Sequence, residues 1–409
     1  MFWADGIATG DGPDLKDGAI VVDDAGVIAE VGAAHTLLPR HAGAKIERVR
    51  GIVLPGLVNA HTHLELSALR GQVPGGAGFV PWVERLIGVR IEASPEEDAS
   101  AIERAVAELD VAKTVAVGEV TNSLAAVGAL VRARFSGCIF HEVFGVERES
   151  VVKRVGGLVL EVEDKLGRWG APSLSYSLAP HTLYTTHSDA VRAIIEHARA
   201  RGRRTTIHLA EHAGERRALE HGDGPVASWI ASRLGLPQAE QRWPGKGPID
   251  LAADLGVLTP NVLLVHLADA RADELARVAA AGSPVVLCPR SNLYIEAKLP
   301  PLLAMRAAGI APALGTDSLA SSASLDVLAE ARALADRFPA VPARELLQMA
   351  TWNGACALGC TGLGRVARGA RPGLFAIDGD LGALDASAFA LRHVKAPRRW
   401  LVRGLQPTT

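Results

Sequence analysis

The feature that most constrains this chain is an apolar run that climbs to two histidines: Gly51-Ile52-Val53-Leu54-Pro55-Gly56-Leu57-Val58-Asn59-Ala60-His61-Thr62-His63-Leu64-Glu65. In a strand, residues i and i+2 face the same side. His61 and His63 therefore converge from the end of one strand, and two neutral imidazoles on one face make half of a tetrahedral metal site. A lone His-x-His fits two neighbouring core or surface histidines equally well. The weight falls on what the rest of the chain adds.

Downstream, helical segments alternate with short apolar strands that end in polar residues. After the opening stretch come Lys113–Val120, Gly137–Phe144, Ser173–His181, Thr205–Glu211, Val262–His266, Pro284–Cys288 and Pro312–Asp317. Amphipathic helices fill the gaps, clearest over Asp189–Arg201 and Asp273–Ala281. Leu236–Pro248 reads as a loop. Eight strands alternating with helices predict an α/β chain folded as a (β/α)8 TIM-like barrel. Both ends are strand-rich instead: Gly18–Val22 and Gly26–Gly32 near the start, Arg371–Ile377 and Arg399–Arg403 near the finish. These ends are expected to pair into a small discontinuous β-sandwich domain. The expected division is 1–54 and 363–409 for the small domain and 55–362 for the barrel.

In such a barrel the active site lies at the C-terminal ends of the strands. There the chain places His61 and His63, then His181, His208, His266 and Asp317. Three imidazoles and a carboxylate suit one divalent ion, Zn²⁺ first and Fe²⁺ second, with water in an open position. Such an ion brings the pKa of its water toward about 7. Glu211, three residues after His208, is placed to move the water's proton. Taken alone, Glu211 reads equally as an acid at a helix N-terminus.

Three motifs together resemble the amidohydrolase superfamily, in its mononuclear aminohydrolase and chlorohydrolase branch. They are Pro55-Gly56-Leu57-Val58-Asn59-Ala60-His61-Thr62-His63, His208-Leu209-Ala210-Glu211 and Gly315-Thr316-Asp317-Ser318. The resemblance implies that His61, His63, His208 and Asp317 bind the metal. It implies that Glu211 shuttles protons, that Asp317 also serves the catalytic centre, and that His266 holds the attacking oxygen. His181 and Ser291 or Asn292, in Cys288-Pro289-Arg290-Ser291-Asn292, would touch the substrate. Pro180-His181 stands where binuclear members carry a bridging lysine, which argues for one ion. Ser318 follows Asp317 where adenosine deaminases have a second aspartate, which argues for the guanine and S-adenosylhomocysteine side.

His61-Thr62-His63-Leu64-Glu65-Leu66-Ser67 and Gly315–Ser321 most resemble aminodeoxyfutalosine deaminases. That implies removal of ammonia from 6-amino-6-deoxyfutalosine in menaquinone synthesis. The alternatives are deamination of S-adenosylhomocysteine, 5′-methylthioadenosine or guanine, hydrolysis of a chlorotriazine, or a non-catalytic barrel that only binds. Glu65 is expected to contact purine or ribose, with a structural hydrogen bond to the rim as the other reading. The glycine-rich loop Gly71–Trp82 is a candidate lid whose Trp82 stacks on a base. Arg70, Arg148 and Arg290 are candidates for a substrate carboxylate.

A formal charge of −2 offers no field for nucleic acid or anionic lipid. No apolar stretch is long enough to span a membrane, and Met1–Gly6 has no signal-peptide character. Cys138, Cys288, Cys356 and Cys360 are expected as free thiols. The expectation is a cytoplasmic protein acting on a small molecule, with a homodimer as the candidate assembly.

Overall fold

The computed structural model describes residues 1–92, 94–170, 173–234 and 244–404. It begins with β1 (Phe2–Ile7), β2 (Leu15–Val22), β3 (Ile28–Ala33) and β4 (Glu47–Pro55). The barrel strands follow: β5 (Leu57–Thr62), β6 (Thr114–Thr121), β7 (Ser136–Val143), β8 (Leu174–Pro180), β9 (Thr205–Leu209), β10 (Val262–His266), β11 (Val285–Leu287) and β12 (Ala313–Leu314). β13 (Leu374–Asp378) and β14 (Arg398–Val402) end the set.

β5-β6-β7-β8 and β9-β10-β11-β12 form two parallel runs. Backbone bonds close them into one barrel. His208 N–H donates to the His181 carbonyl at 3.0 Å, and Thr316 and Asp317 N–H donate to the His61 carbonyl at 3.0 and 3.1 Å. Val58, Ala60, Phe140, Leu263, Val265 and Val286 fill the interior. Ile207, Leu209, Leu264 and Leu287 face the helices. Parallel strands buried on both faces need apolar residues at almost every position, which is why they read as short apolar runs.

The helices follow the apolar spacing. Ser188–Ala200 buries Ala190, Val191, Ile194, Ile195 and Ala198, one stripe of a 3.6-residue period. Ala272–Ala281 buries Leu275 and Val278 and stops at Gly282, whose φ of 66° is the left-handed conformation that ends helices. Of the loop expected over Leu236–Pro248, residues 236–243 lie outside the described residues. Pro248 opens the helix Pro248–Asp254.

The sandwich expected from the termini takes the form of one continuously hydrogen-bonded sheet, β14-β13-β4-β1-β2-β3. Along β4, Val49 and Val53 face one apolar cluster while Ile52 and Leu54 face another, which includes Phe389 and Leu391 of the helix Ala386–Arg392. The opening stretch, read from the sequence as one strand, is two strands in two different sheets, separated at Gly56. A Cβ there would lie 2.3 Å from Val115 Cγ1 and 2.7 Å from the Pro372 carbonyl, so only glycine lets the chain cross from one sheet to the other. Among the described residues no helix is long and apolar enough to cross a membrane.

Candidate active site

The register between β5 and β6 slips by one residue between Asn59, opposite Val117, and Thr62, opposite Glu119. The slip matters because Val58 and Ala60 already face the interior. Strict alternation would turn His61 outward; one extra residue re-aims it into the barrel mouth. Its ring centroid lies 4.9 Å from that of His63, 5.0 Å from His208 and 5.9 Å from His266.

His63 Nε2 stands 3.3 Å from His208 Nε2 and 3.7 Å from Asp317 Oδ1, and His61 Nε2 stands 4.0 Å from the same oxygen. Ligand atoms on a tetrahedral ion with bonds of 2.0–2.1 Å are separated by roughly 3.3 Å. His61 is 1% exposed, yet neither of its ring nitrogens has a hydrogen-bond partner. A buried polar group is seldom left so. Spacing, donor chemistry and the orphaned imidazole all fit a divalent cation.

The surroundings fix which atom each donor offers. His208 Nδ1–H donates to the His181 carbonyl at 3.1 Å, leaving Nε2 for the cluster. Asp317 Oδ2 accepts from the Ser291 hydroxyl at 2.6 Å and the Ser321 hydroxyl at 3.2 Å, leaving Oδ1 facing the histidines. The Asn292 amide meets His266 Nδ1 at 3.3 Å. With the amide donating, His266 carries its proton on Nε2, 3.6 Å from Glu211 Oε1. Ala210, His266 and Asp317 hold φ values of 49°, 78° and 56°. Such left-handed backbone costs non-glycine residues about 1–3 kcal/mol each and gathers at functional sites.

Burial sets the charges. It lowers the pKa values of His61 and His266 and brings His181 and His208 down to about 3. These imidazoles are neutral, as a ligand must be. Burial would raise Asp317, but His63, His266 and the Ser291 hydroxyl hold it below its ordinary value. Burial pushes Glu211 well above the carboxylate range, and Asp317 and Glu296 add to the rise. Two neighbouring acids are thus driven apart: Asp317 keeps its charge, while the raised proton affinity of Glu211 suits a group that takes a proton and passes it on.

The structure gathers His61, His63, His208, His266, Asp317, Glu211 and His181, whose Nδ1 meets Thr185 Oγ1 at 2.7 Å. Others it places differently. Ser291 and Asn292, expected to touch substrate, are committed to Asp317 and His266. Glu65 is an anchor. Its carboxylate accepts from Thr121 Oγ1 (2.8 Å), Asn122 N–H (3.1 Å), Ser123 N–H and Oγ (3.0 and 2.6 Å) and Arg90 (3.0 Å). Trp82 packs among Leu69, Val73, Leu86 and Ile295, and it is Phe79 that stacks on His212, with centroids 4.1 Å apart. Arg70 pairs with Glu108, Arg148 with Asp189 and Arg290 with Glu330. Sequence reasoning passed over His212, buried beside Glu211 with Nε2 unpartnered, and Glu142, the penultimate residue of β7. Glu142 follows the signal that found the histidines, a polar residue near the C-terminal end of an apolar strand.

Fold and site define a barrel hydrolase with a His/Asp donor cluster at the strand ends. The chain belongs to the amidohydrolase family, whose sequence profile matches residues 52–404, and it is a hydrolytic enzyme acting on carbon–nitrogen bonds. It is 31% identical over 365 residues to an aminodeoxyfutalosine deaminase of Deinococcus radiodurans, covering 87% of this chain and 84% of that one. It is 29% identical over 399 residues to a 5-methylthioadenosine/S-adenosylhomocysteine deaminase of Nitratidesulfovibrio vulgaris, covering 95% and 84%. The crystal structure of Helicobacter pylori aminofutalosine deaminase with methylthio-coformycin superposes with a TM-score of 0.86, covering 98% of each chain. At 23% identity that likeness bears on the fold.

Proposed function

We propose that the protein is a metal-dependent deaminase of an aminated purine nucleoside, with 6-amino-6-deoxyfutalosine as the favoured substrate. The observation that carries the hydrolytic chemistry is Glu211 and His266 set side by side against the His61–His63–His208–Asp317 cluster. The substrate is supported by the similarity to aminodeoxyfutalosine deaminases. His61, His63, His208 and Asp317 would hold one divalent ion, for which Zn²⁺ suits three imidazoles and a carboxylate. Bound there, it supplies a Lewis acid that makes water a nucleophile at neutral pH.

The chain's own groups do the rest. Glu211 takes the proton of the attacking water and delivers it to the ring nitrogen beside the aminated carbon. His266 Nε2–H donates to the attacking oxygen and holds it over that carbon. Glu211 then carries the hydroxyl proton of the addition product to the amino group. The carbon–nitrogen bond breaks, ammonia leaves and the ring keeps a carbonyl. Water and nucleoside thus give the 6-oxo nucleoside and ammonia. His181 is placed to meet the base from the neighbouring strand end.

A second reading, deamination of 5′-methylthioadenosine or S-adenosylhomocysteine, is favoured by the 29% identity to such a deaminase over nearly the whole chain. Ammonia release separates the two, measured with 6-amino-6-deoxyfutalosine, both thioether nucleosides, adenosine, guanine and a chlorotriazine side by side. The first reading requires the highest kcat/KM on 6-amino-6-deoxyfutalosine. Preference for guanine or the triazine sinks the nucleoside reading and leaves the donor cluster standing.

A further inference from the structure

β7 brings to the barrel mouth an acid that the chemistry above does not use. Cys138 and Phe140 of β7 face the barrel interior, whereas His141 turns outward to the Tyr176 hydroxyl at 2.6 Å. Alternation therefore points Glu142 inward, and its surroundings agree. Oε1 stands 3.6 Å from His208 Nδ1, and Glu142, His181 and His208 bring polar atoms within 4.8 Å of one another. Oε2 accepts from Asn122 Nδ2 at 3.1 Å, and the same amide reaches the Glu142 carbonyl at 3.2 Å, so the carboxyl group is held in place.

Oε1 is buried and has no hydrogen-bond partner, on a residue 6% exposed. His208 does not fill the gap, because its Nδ1 proton already goes to the His181 carbonyl, and 3.6 Å lies beyond hydrogen-bond reach. His181 Nδ1 is engaged with Thr185. A buried carboxylate oxygen held rigidly without a donor is costly, and such an atom in a site calls for a donor from outside the chain.

Position says which donor. Glu211 follows β9 and His266 ends β10, so a ring reacting over the cluster presents its amino group and adjacent nitrogen to that side of the rim. The remainder of the ligand extends along the other strand ends, where β8 supplies His181 and β7 supplies Glu142. Apart from the departing amino group, the unsubstituted ring nitrogens of a 6-aminopurine nucleoside are acceptors and N9 carries the sugar, so the base offers Oε1 no donor. The hydroxyls of the sugar are donors. We propose that Glu142 Oε1 accepts a hydrogen bond from a ribose hydroxyl of the substrate and so selects ribonucleosides over their deoxy counterparts. The proposal rests on the nucleoside reading above.

The test crosses enzyme and substrate changes. Wild type and Glu142→Gln, each checked for metal content, are assayed with the adenine ribonucleoside of highest turnover and with its 2′-deoxy and 3′-deoxy analogues. In wild type, loss of the contacted hydroxyl should lower kcat/KM roughly tenfold or more, as expected for a bond to a charged acceptor. In Glu142→Gln the same deletion should cost no more than a few-fold, with metal content unchanged. If the variant slows all three substrates by one factor, Glu142 acts only through His208 and the proposal fails. It fails too if wild type ignores both deletions. Wild-type protein that deaminates no nucleoside overturns this proposal and the functional reading together, whereas the first two failures leave that reading intact.

Discussion

At the scale of single residues, the site separates donors from the groups that aim them. Glu211 is asked to carry protons and to hold no metal. Glu211→Gln should therefore keep the ion and lose about 10²–10⁴-fold in kcat, the usual worth of a positioned acid–base group. Normal metal content with near wild-type turnover would remove Glu211 from the mechanism. Ser291 is asked for the opposite. Its 2.6 Å bond turns Asp317 so that Oδ1 faces the imidazoles. Ser291→Ala should weaken metal affinity about 10–100-fold, the typical cost of losing a group that orients a ligand, while saturating metal restores most of kcat. Loss of kcat at full occupancy would return Ser291 to the substrate-contacting role read from the sequence. The bond to Asp317 was not legible in the sequence for a physical reason. A motif gives the order of residues along a chain, whereas the partner of Ser291 arrives from another strand end, 26 positions later.

At the scale of elements, the strands were legible and their small irregularities were not. All eight barrel strands overlap the apolar runs read from the sequence, because burial on both faces leaves few other compositions. The bulge between Asn59 and Thr62 has no such signature, because a strand buried on both faces shows no polar alternation for it to break. Glu65 shows the same limit. Its carboxylate ties the short helix Leu64–Leu69 to residues 121–123 and to Arg90 of the helix Phe79–Glu92. Burial alone would raise its pKa, yet the Ser123 hydroxyl, Arg90, the Asn122 N–H and the Thr121 hydroxyl bring it down to about 2 from 4.5. A depressed carboxyl stabilises the fold fully above its unfolded pKa and loses that stabilisation as pH falls through the folded value. The contribution, on the order of 3 kcal/mol, should be complete above pH about 4.5 and fade toward pH about 2. Urea unfolding of Glu65→Gln beside wild type should show the gap at pH 7 shrinking across that window. A gap independent of pH would mean that the charge of Glu65 does no anchoring.

At the scale of the whole molecule, the proposed donors stand across a seam of the barrel. His61 lies near the end of β5, Asp317 follows β12, and these strands meet at one of the two seams, where the His61 carbonyl takes two N–H groups. Stripping the ion with a chelator should lower unfolding stability by about 3 kcal/mol, the linkage expected when free metal stands near 100 times its Kd. Readdition should restore it, and His61→Asn should be insensitive to both treatments. A chelator that leaves the wild-type unfolding midpoint unmoved would show that the cluster binds no ion of consequence.

The seam also sets a schedule. Thr62 and Asp317, which bridge it, are 255 positions apart. A ribosome delivers the chain from its N-terminus. His61 and His63 are therefore made early and wait through most of translation for the carboxylate that completes their set. Until then the nascent chain would hold an incomplete set of the donors proposed for the ion. On that proposal the set is completed only when the last strand docks, so a loaded centre would be a record that the chain has been read almost to its end.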